Sequence, residues 1–131
     1  MRKKIFKEKY HIFEIEYKKN ELAFTNINEI ITALQIKIDA HPVLAFIAIF
    51  DQYKHTSSLE GSEINPNIKS AKNIIFCFGK ELPNPEVLAV RPRSIGVCET
   101  EDSFILNFLE APNDMANKTM EEFVKSLKEK I

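Results

Sequence analysis

The sequence predicts an α+β two-layer sandwich, in which two long helices pack on one face of a mainly antiparallel sheet of about five strands. Two amphipathic stripes with helical spacing indicate the helices, and short alternating or continuous apolar runs indicate the strands. The order strand, helix, strand, strand, short helix, strand, strand, helix lacks the regular alternation of a doubly wound fold. We expect a single α+β domain over residues 1–131, because 131 residues that are 44% hydrophobic suffice for one core.

A strand and a long helix come first in this order. Residues 10–17 alternate apolar with polar side chains, as in a strand with one face in water. Asn26 followed three residues later by Glu29 is a capping-box signature, and the apolar stripe behind it stops at Pro42. The first helix is therefore expected over about residues 27–40.

Two continuous apolar runs, Val43 to Phe50 and Ile74 to Phe78, predict strands that are buried on both faces and lie in the centre of the sheet. A polar connector, Gln52 to Lys72, separates them. Connectors of this length are usually functional or disordered. We expect this one to be ordered and to fold back over the sheet, because it carries four apolar side chains, namely Tyr53, Leu59, Ile64 and Ile68.

The last third of the chain predicts a short helical segment, a hairpin and a closing helix. An asparagine followed by proline and an acid indicates one or two helical turns over Pro85 to Ala89. Ser94 to Glu99 and Ser103 to Leu109, joined by a short polar turn, predict the hairpin. A helical stripe that ends at Ile131 predicts the closing helix over about residues 114–130.

Charge and cysteine content limit the classes of partner. Eighteen basic and nineteen acidic residues give a net charge of -1, so neither nucleic acid nor a membrane is an expected partner. No apolar stretch is long enough to span a membrane, and Lys7 interrupts the start of any secretory signal.

Cys77 and Cys98 without such a signal predict free thiols in a reducing cytoplasm. Two thiols cannot complete a zinc site and three glycines cannot build a phosphate loop, so no metal and no cofactor are expected.

Two groups of polar residues are candidates for a site. Arg91 and Arg93 place two guanidinium groups on one side of an extended segment, and such a pair can clamp a carboxylate or a phosphate. In the connector, His55 lies four residues after Asp51 and close to Tyr53, where a histidine can serve as a general base. The ordinary alternatives are surface ion pairs for the arginines and solvent exposure for the histidine. The candidate ligand-binding residues are Arg91, Arg93, His55 and Tyr53, and no catalytic residue is assigned.

The chain also resembles a known bacterial family. The strand from Ile74 to Phe78 runs into Gly79 and then into Leu82-Pro83-Asn84-Pro85, and the hairpin that follows ends at Ala111-Pro112. Over about residues 26–112, this layout resembles the domain of unknown function 302 family, small α+β proteins with a strand of the type apolar-Phe-Gly-x-Pro. The resemblance implies a two-layer fold and dimerisation, and it implies no reaction.

The same resemblance bears on the candidate histidine. In that family a histidine often follows the aspartate after the second strand, whereas here Asp51 is followed by Gln52 and His55 comes three residues later. The stretches Lys72 to Gly79 and Val90 to Val97 are also similar to a closer set of uncharacterised small bacterial proteins. Neither resemblance implies an activity for these residues.

Three functions remain open from the residues alone. The first is binding of an anionic small molecule in a pocket framed by the Gln52 to Lys72 connector and by Arg91 or Arg93. The second is a homodimeric interaction or structural protein with no small-molecule site. The third is an enzyme that uses His55 with nearby carboxylates.

A homodimer is expected from the two apolar runs. In a two-layer sandwich only one sheet face meets the helices, so the other face should carry polar residues at every second position. Neither run does. Soluble monomers rarely expose a patch of several hundred Å², and a second copy related by two-fold symmetry is the expected cover.

Overall fold

The computed structural model describes residues 1–128 and has the predicted α+β class. The α-helices are α1 (Ile27–Ala40), α2 (Gln52–Ser57) and α3 (Asp114–Lys125). The strands are β1 (Arg2–Phe6), β2 (Tyr10–Lys18), β3 (Leu44–Asp51), β4 (Ser70–Phe78), β5 (Arg93–Glu99) and β6 (Ser103–Leu109). Short 3-10 segments lie at Lys19–Glu21, Pro85–Val90 and Ser126–Lys128. Within residues 1–128, every helix is too short or too polar to cross a bilayer.

The elements with strong local signals lie where the sequence predicts them. The cap of α1 is formed by Asn26, whose side-chain oxygen accepts the backbone N–H of Glu29 at 3.0 Å. The β5–β6 hairpin and the 3-10 segment Pro85–Val90 also match their predicted ranges. The closing helix α3 begins as predicted and continues as a 3-10 segment to Lys128, whereas the predicted end of this helix, including Ile131, lies outside the described residues.

The sheet has six strands in the order β1-β2-β6-β5-β4-β3, and all neighbouring pairs are antiparallel. The sixth strand, β1, is absent from the sequence prediction because its side chains are mostly charged. Ion pairs hold it in place: Lys4 Nζ lies 2.7 Å and an Arg2 nitrogen 3.8 Å from Glu14, and Lys3 Nζ lies 2.5 Å from Glu110. Cross-strand charge, rather than apolar periodicity, defines this edge strand.

The prediction that both apolar runs form central strands is correct for β4 and wrong for β3. β4 lies between β3 and β5, whereas β3 is an edge of the sheet. Leu44 and Phe46 pack on the core, but Ile47 is 50% and Ile49 42% exposed, and the register shifts between Phe46 and Ala48. An apolar run indicates that a strand is suited to burial, but it does not show how many other strands will pair with that strand.

The connector is ordered, and its first residues form α2, which the sequence does not predict as a helix. This helix contacts β4. Tyr53, Ile64 and Ile68 are half-buried, whereas Leu59 is 52% exposed. The expectation that the connector folds back over the sheet is supported by the contact of α2 with β4. The burial expected of its four apolar side chains is partial for three and wrong for Leu59, which lies in a turn.

The core fills the layer between the two long helices and one face of the sheet. The helices contribute a continuous apolar stripe, comprising Ile27, Ile30, Ile31, Leu34 and Ile38 of α1 with Met120, Phe123 and Val124 of α3. The sheet contributes the side chains that alternate inward from the four strands β2, β6, β5 and β4, among them Tyr17, Phe104, Leu106, Ile95, Val97, Ile74 and Phe76. Since these residues form one cluster, the two layers share a single core.

The opposite face of the sheet, which we call the open face, is crossed by a row of mostly polar residues. Strand pairing aligns Phe50, Asn73, Gly96, Asn107, Glu14 and Arg2 in this row. A Cβ on Gly96 would lie 2.9 Å from the Asn107 side-chain oxygen, so a larger residue there would require the Asn107 side chain to move. The apolar patch predicted on this face is interrupted by this polar row. The apolar side chains beside the row include Ala48, Ile75 and Cys77 on β3 and β4 and Ile105 on β6, which are half-buried, and Leu109, which is 50% exposed.

The hydroxyl of Tyr17 ties the end of α3 to β2. It donates a hydrogen bond to the Val124 carbonyl at 2.7 Å and lies 3.2 Å from the Lys125 carbonyl. The side chain is 3% exposed. Burial, aided by the charge of Glu21, raises the pKa of Tyr17 from 10.0 to about 12.

Replacing Tyr17 with phenylalanine is expected to lower the free energy of unfolding at pH 7 by about 1 kcal/mol, because a buried hydrogen bond is lost. The unfolded chain releases the Tyr17 proton at a lower pH than the folded chain does. The difference in free energy of unfolding between wild type and Tyr17→Phe is therefore complete below pH 10 and is lost as the pH rises toward 12. Urea unfolding of both proteins at pH 7 and pH 11 measures the difference. An equal difference at the two pH values would contradict this assignment.

Candidate functional site

A cavity of about 480 Å³ opens at one end of the sandwich, where β4 and α1 end and where β5 and α3 begin. Its size falls within the ordinary range for small-molecule sites. The polar part of its lining includes His41, Lys80, Arg91 and Arg93. Most of the remaining wall is apolar and includes Val43, Phe78, Pro83, Val87, Val90 and Met115. We refer to it as the Arg93 cavity.

The segment between β4 and β5 forms one wall of this cavity because local signals fold it back. β4 ends before Gly79, and the Asn84 side chain then accepts the Val87 backbone N–H at 3.2 Å. With Pro85 in the first turn, this cap starts the 3-10 segment and brings Val87 and Val90 into the lining.

Arg93 is the central polar residue of the cavity. Its side chain is only 8% exposed, since it lies opposite Phe76 on the helix-covered face of the sheet. The guanidinium donates to the carbonyl of Val90 at 3.2 Å and to the carbonyl of Leu109, and its Nε has no hydrogen-bond partner. Burial lowers the pKa of Arg93, and no carboxylate of the described residues lies within 4.0 Å of it. The cavity wall therefore contains a buried cation with spare donors and no counter-ion.

Two further cations and one acid line the cavity nearer the solvent. Arg91 donates from Nη1 to the backbone carbonyl of Glu81 at 2.7 Å, so its guanidinium is positioned by backbone rather than by a carboxylate. Lys80 and the Glu81 side chain are exposed. Three cationic residues thus line the cavity against one acidic residue, and the local field favours an anion.

His41 adds an imidazole ring to the lining. The residue caps the end of α1, and its Nδ1 accepts the Val43 backbone N–H at 3.3 Å. In the neutral ring, this hydrogen bond assigns the proton to Nε2.

Two asparagines fix the loop between β6 and α3. Asn113 caps α3 by accepting the backbone N–H groups of Met115 at 2.7 Å and Ala116 at 3.3 Å. Asn117, which is buried, accepts the Ala111 N–H at 2.7 Å and donates to the Ala111 carbonyl at 2.9 Å. Because the cap occupies these N–H groups, the start of α3 contributes its positive dipole to the cavity rather than free donors.

The structure brings together two of the four predicted ligand-binding residues. Arg91 and Arg93 both line the Arg93 cavity, whereas Tyr53 and His55 lie in α2. The His55 ring contacts Phe50 with a centroid distance of 5.6 Å. Since α2 follows the far end of β3, it is separated from the cavity by roughly 25 Å, the length of that strand.

The predicted frame of the pocket also differs from the observed one. No residue of the Gln52 to Lys72 connector lines the cavity. Asp51, the proposed partner of His55, instead caps α2 by accepting the Lys54 N–H at 2.9 Å. The wall comes from the segment between β4 and β5, because β3 carries the connector away to the other end of the sheet.

Several lining residues were missed by sequence reasoning. His41 immediately precedes Pro42, the predicted stop of the first helix, and it lines the cavity. Asn113 immediately before α3 carries a recognisable N-cap signal. Phe78 and Lys80 carry no local signal, since Phe78 reaches the cavity through its pairing with Leu44 and Lys80 follows the end of β4.

The described residues contain no group of three His, Cys, Asp or Glu side chains placed to hold a metal ion. Cys77 and Cys98 are half-buried free thiols. Burial, together with the neighbouring Glu99, raises the pKa of Cys98. A thiol in this environment is a weak nucleophile at neutral pH.

Comparison with known proteins gives one match. The sequence model of a family of unknown function (DUF6858) matches residues 1–129. This is not the domain of unknown function 302 family, so that resemblance is wrong as an assignment, although both families lack an assigned function. No curated protein and no solved structure matches the chain.

Replacing Asn117 with alanine is expected to lower the free energy of unfolding by about 2 to 3 kcal/mol, because the N–H and the carbonyl of buried Ala111 both lose their partner. Lys118→Ala, one position along on the exposed side of α3, is the matched control and should cost less than about 0.5 kcal/mol. Urea unfolding at neutral pH compares the two. Equal midpoints for both variants would show that Asn117 does not hold the loop.

Proposed function

We propose that this chain, which belongs to the DUF6858 family, binds an anionic small molecule in the Arg93 cavity. The observation that carries the proposal is the buried guanidinium of Arg93, which lacks a carboxylate and has an unpartnered Nε. Buried charges in proteins are ordinarily paired. An anion in the cavity would compensate the charge of this guanidinium.

The spare donors of Arg93 match this role. A guanidinium has five N–H groups, and the two hydrogen bonds to Val90 and Leu109 leave three of them free. A charged hydrogen bond contributes about 1.5 to 3 kcal/mol. The two carbonyl contacts hold the guanidinium in place before a ligand arrives, which reduces the entropy lost on binding.

Binding is better supported than catalysis. The polar lining consists chiefly of cations and hydrogen-bond donors, and the described lining contains no serine, cysteine or aspartate. His41 has its Nδ1 engaged by backbone, and no nucleophile–base pair is formed there. An enzyme based on His55 has less support, since that residue lies in α2 without a carboxylate contact.

Acetate, sulfate and inorganic phosphate should each be tested for binding by isothermal titration calorimetry and thermal shift. We expect at least one to bind, and Arg93→Lys to weaken it at least tenfold, because lysine keeps the charge but lacks the Nε donor and the planar fork. Arg91→Ala should weaken binding less, since Arg91 is nearer the solvent.

Lys118→Ala removes an exposed cation outside the cavity and serves as the control. Arg93→Lys is chosen because it retains the charge and the length of the side chain, and its fold is checked by circular dichroism. Binding that is identical in wild type, Arg93→Lys and Arg91→Ala, or no anion binding at all, would contradict the proposal.

A second candidate function, self-association, is favoured by the β3 edge. Seven consecutive residues of this strand, 44–50, are uncharged and contain no proline, and Ile47, Ile49 and Phe50 are each at least 40% exposed. Edge strands usually carry charge or proline to prevent pairing with another chain. We propose that a second copy of the chain covers this edge and the adjoining apolar part of the open face.

Analytical ultracentrifugation at micromolar concentration should therefore show a species of twice 15.1 kDa. Ile47→Lys is expected to yield the monomer, because it places a charge in the middle of the pairing edge. Ile36→Lys, at a 64% exposed position of α1, is the matched control and should leave the dimer intact. A wild-type species of 15.1 kDa would contradict the proposal.

A further inference from the structure

We propose that the ligand of the Arg93 cavity is an amphipathic monocarboxylate, with its carboxylate at Arg93 and its apolar body along the opposite wall. This inference rests on the proposed function and deepens it. It follows from three properties of the cavity, namely its volume, the composition of its walls and the distribution of charge around it.

The volume argues against a small inorganic ion as the natural ligand. The cavity measures about 480 Å³, which corresponds to roughly sixteen water molecules at about 30 Å³ each. A phosphate or sulfate at Arg93 would fill a small part of this space. The remaining volume leaves room for a ligand with a larger body.

The walls indicate that this body is apolar. Val43, Phe78 and Val87 line the cavity together with the exposed side chain of Met115. These residues offer few hydrogen-bond partners to a polar ligand, and burial of methylene groups against them is favourable.

The mouth of the cavity is also unusually apolar for a protein surface. Met115 is 68% exposed, and Leu82 and Leu88, next to the lining residues Pro83 and Val87, are 72% and 64% exposed. Three of the four most exposed large apolar side chains in the described chain are thus a lining residue or the sequence neighbour of one. A ligand whose apolar body reaches the mouth would cover part of this surface.

The charges favour a singly charged head group. Among the cationic residues that line the cavity in the described chain, only Arg93 is more than nine-tenths buried. Arg91 is held against the Glu81 carbonyl, and the Glu81 carboxylate lines the same cavity. The Glu81 carboxylate offsets one of the two outer cations, Lys80 and Arg91. A carboxylate matches the planar guanidinium of Arg93 with a single charge.

Calorimetric titration with acetate, butanoate, hexanoate and octanoate tests the inference. Affinity should rise about fourfold for each added methylene until the cavity is filled. Octanol, which has the same chain without the charge, and octyl phosphate, which has a larger charge, should each bind at least tenfold more weakly than octanoate.

Variants separate the two ends of the ligand. Met115→Ser should reduce the affinity for octanoate about tenfold and leave acetate unchanged, whereas Arg93→Lys should weaken both. Ile36→Ser, at an exposed position of α1 outside the lining, is the control for loss of an exposed apolar side chain. Since Met115 is largely exposed, its replacement should not impair folding.

The possible failures are distinguishable. Small anions that bind through Arg93 with no gain from chain length would overturn this inference and leave the proposed function standing. Octanol binding as tightly as octanoate, with no effect of Arg93→Lys, would overturn both. Tighter binding of octyl phosphate than of octanoate would contradict the carboxylate head group and indicate a dianionic one.

Discussion

Because Arg93 pairs with Phe76 in the β4–β5 ladder, its side chain lies on the face of the sheet that the helices cover. The next inward positions along β5 are Ile95 and Val97, which are fully or nearly fully buried. A shift of one residue would move this whole set to the open face. The register that builds the core therefore also places a guanidinium at the edge of that core, and the candidate site depends on this placement.

The same guanidinium connects the site to the fold. Its bonds to the carbonyls of Val90 and Leu109 join the 3-10 segment to the end of β6, and Asn117 anchors the next residues to α3. Carbonyls satisfy some of the donors of Arg93 but do not neutralise its charge. An anion that pairs with Arg93 in the folded state would therefore raise the free energy of unfolding.

The two edges of the sheet are treated differently. β1 is charged and is held by ion pairs with Glu14 and Glu110, whereas β3 is apolar and carries only a register irregularity near Ile47. Irregularities of this kind hinder edge pairing, but charges hinder it more strongly. One edge of the sheet is thus protected by charge and the other is apolar, with the Arg93 cavity near the start of β3.

The sequence by itself determined the features that depend on residues a few positions apart. Asn26 and Glu29 define the start of α1, the apolar stripe defines its buried face, and a cap asparagine with proline defines the 3-10 segment at Pro85. The arginine pair was also identified as the candidate anion site, because two guanidinium groups two residues apart need no tertiary information to be recognised.

Tertiary structure decided which strand is an edge, that the charged N-terminal segment is a strand, and which candidates share a cavity. Lys3 contacts Glu110, and Tyr17 contacts Val124, each across 107 positions of sequence. Local periodicity shows that a segment is suited to burial. It does not show which other segment of the chain will pack against it, so it cannot predict such pairings. For the same reason Arg93 and His41 meet at one cavity, while His55 is carried to the far end of β3.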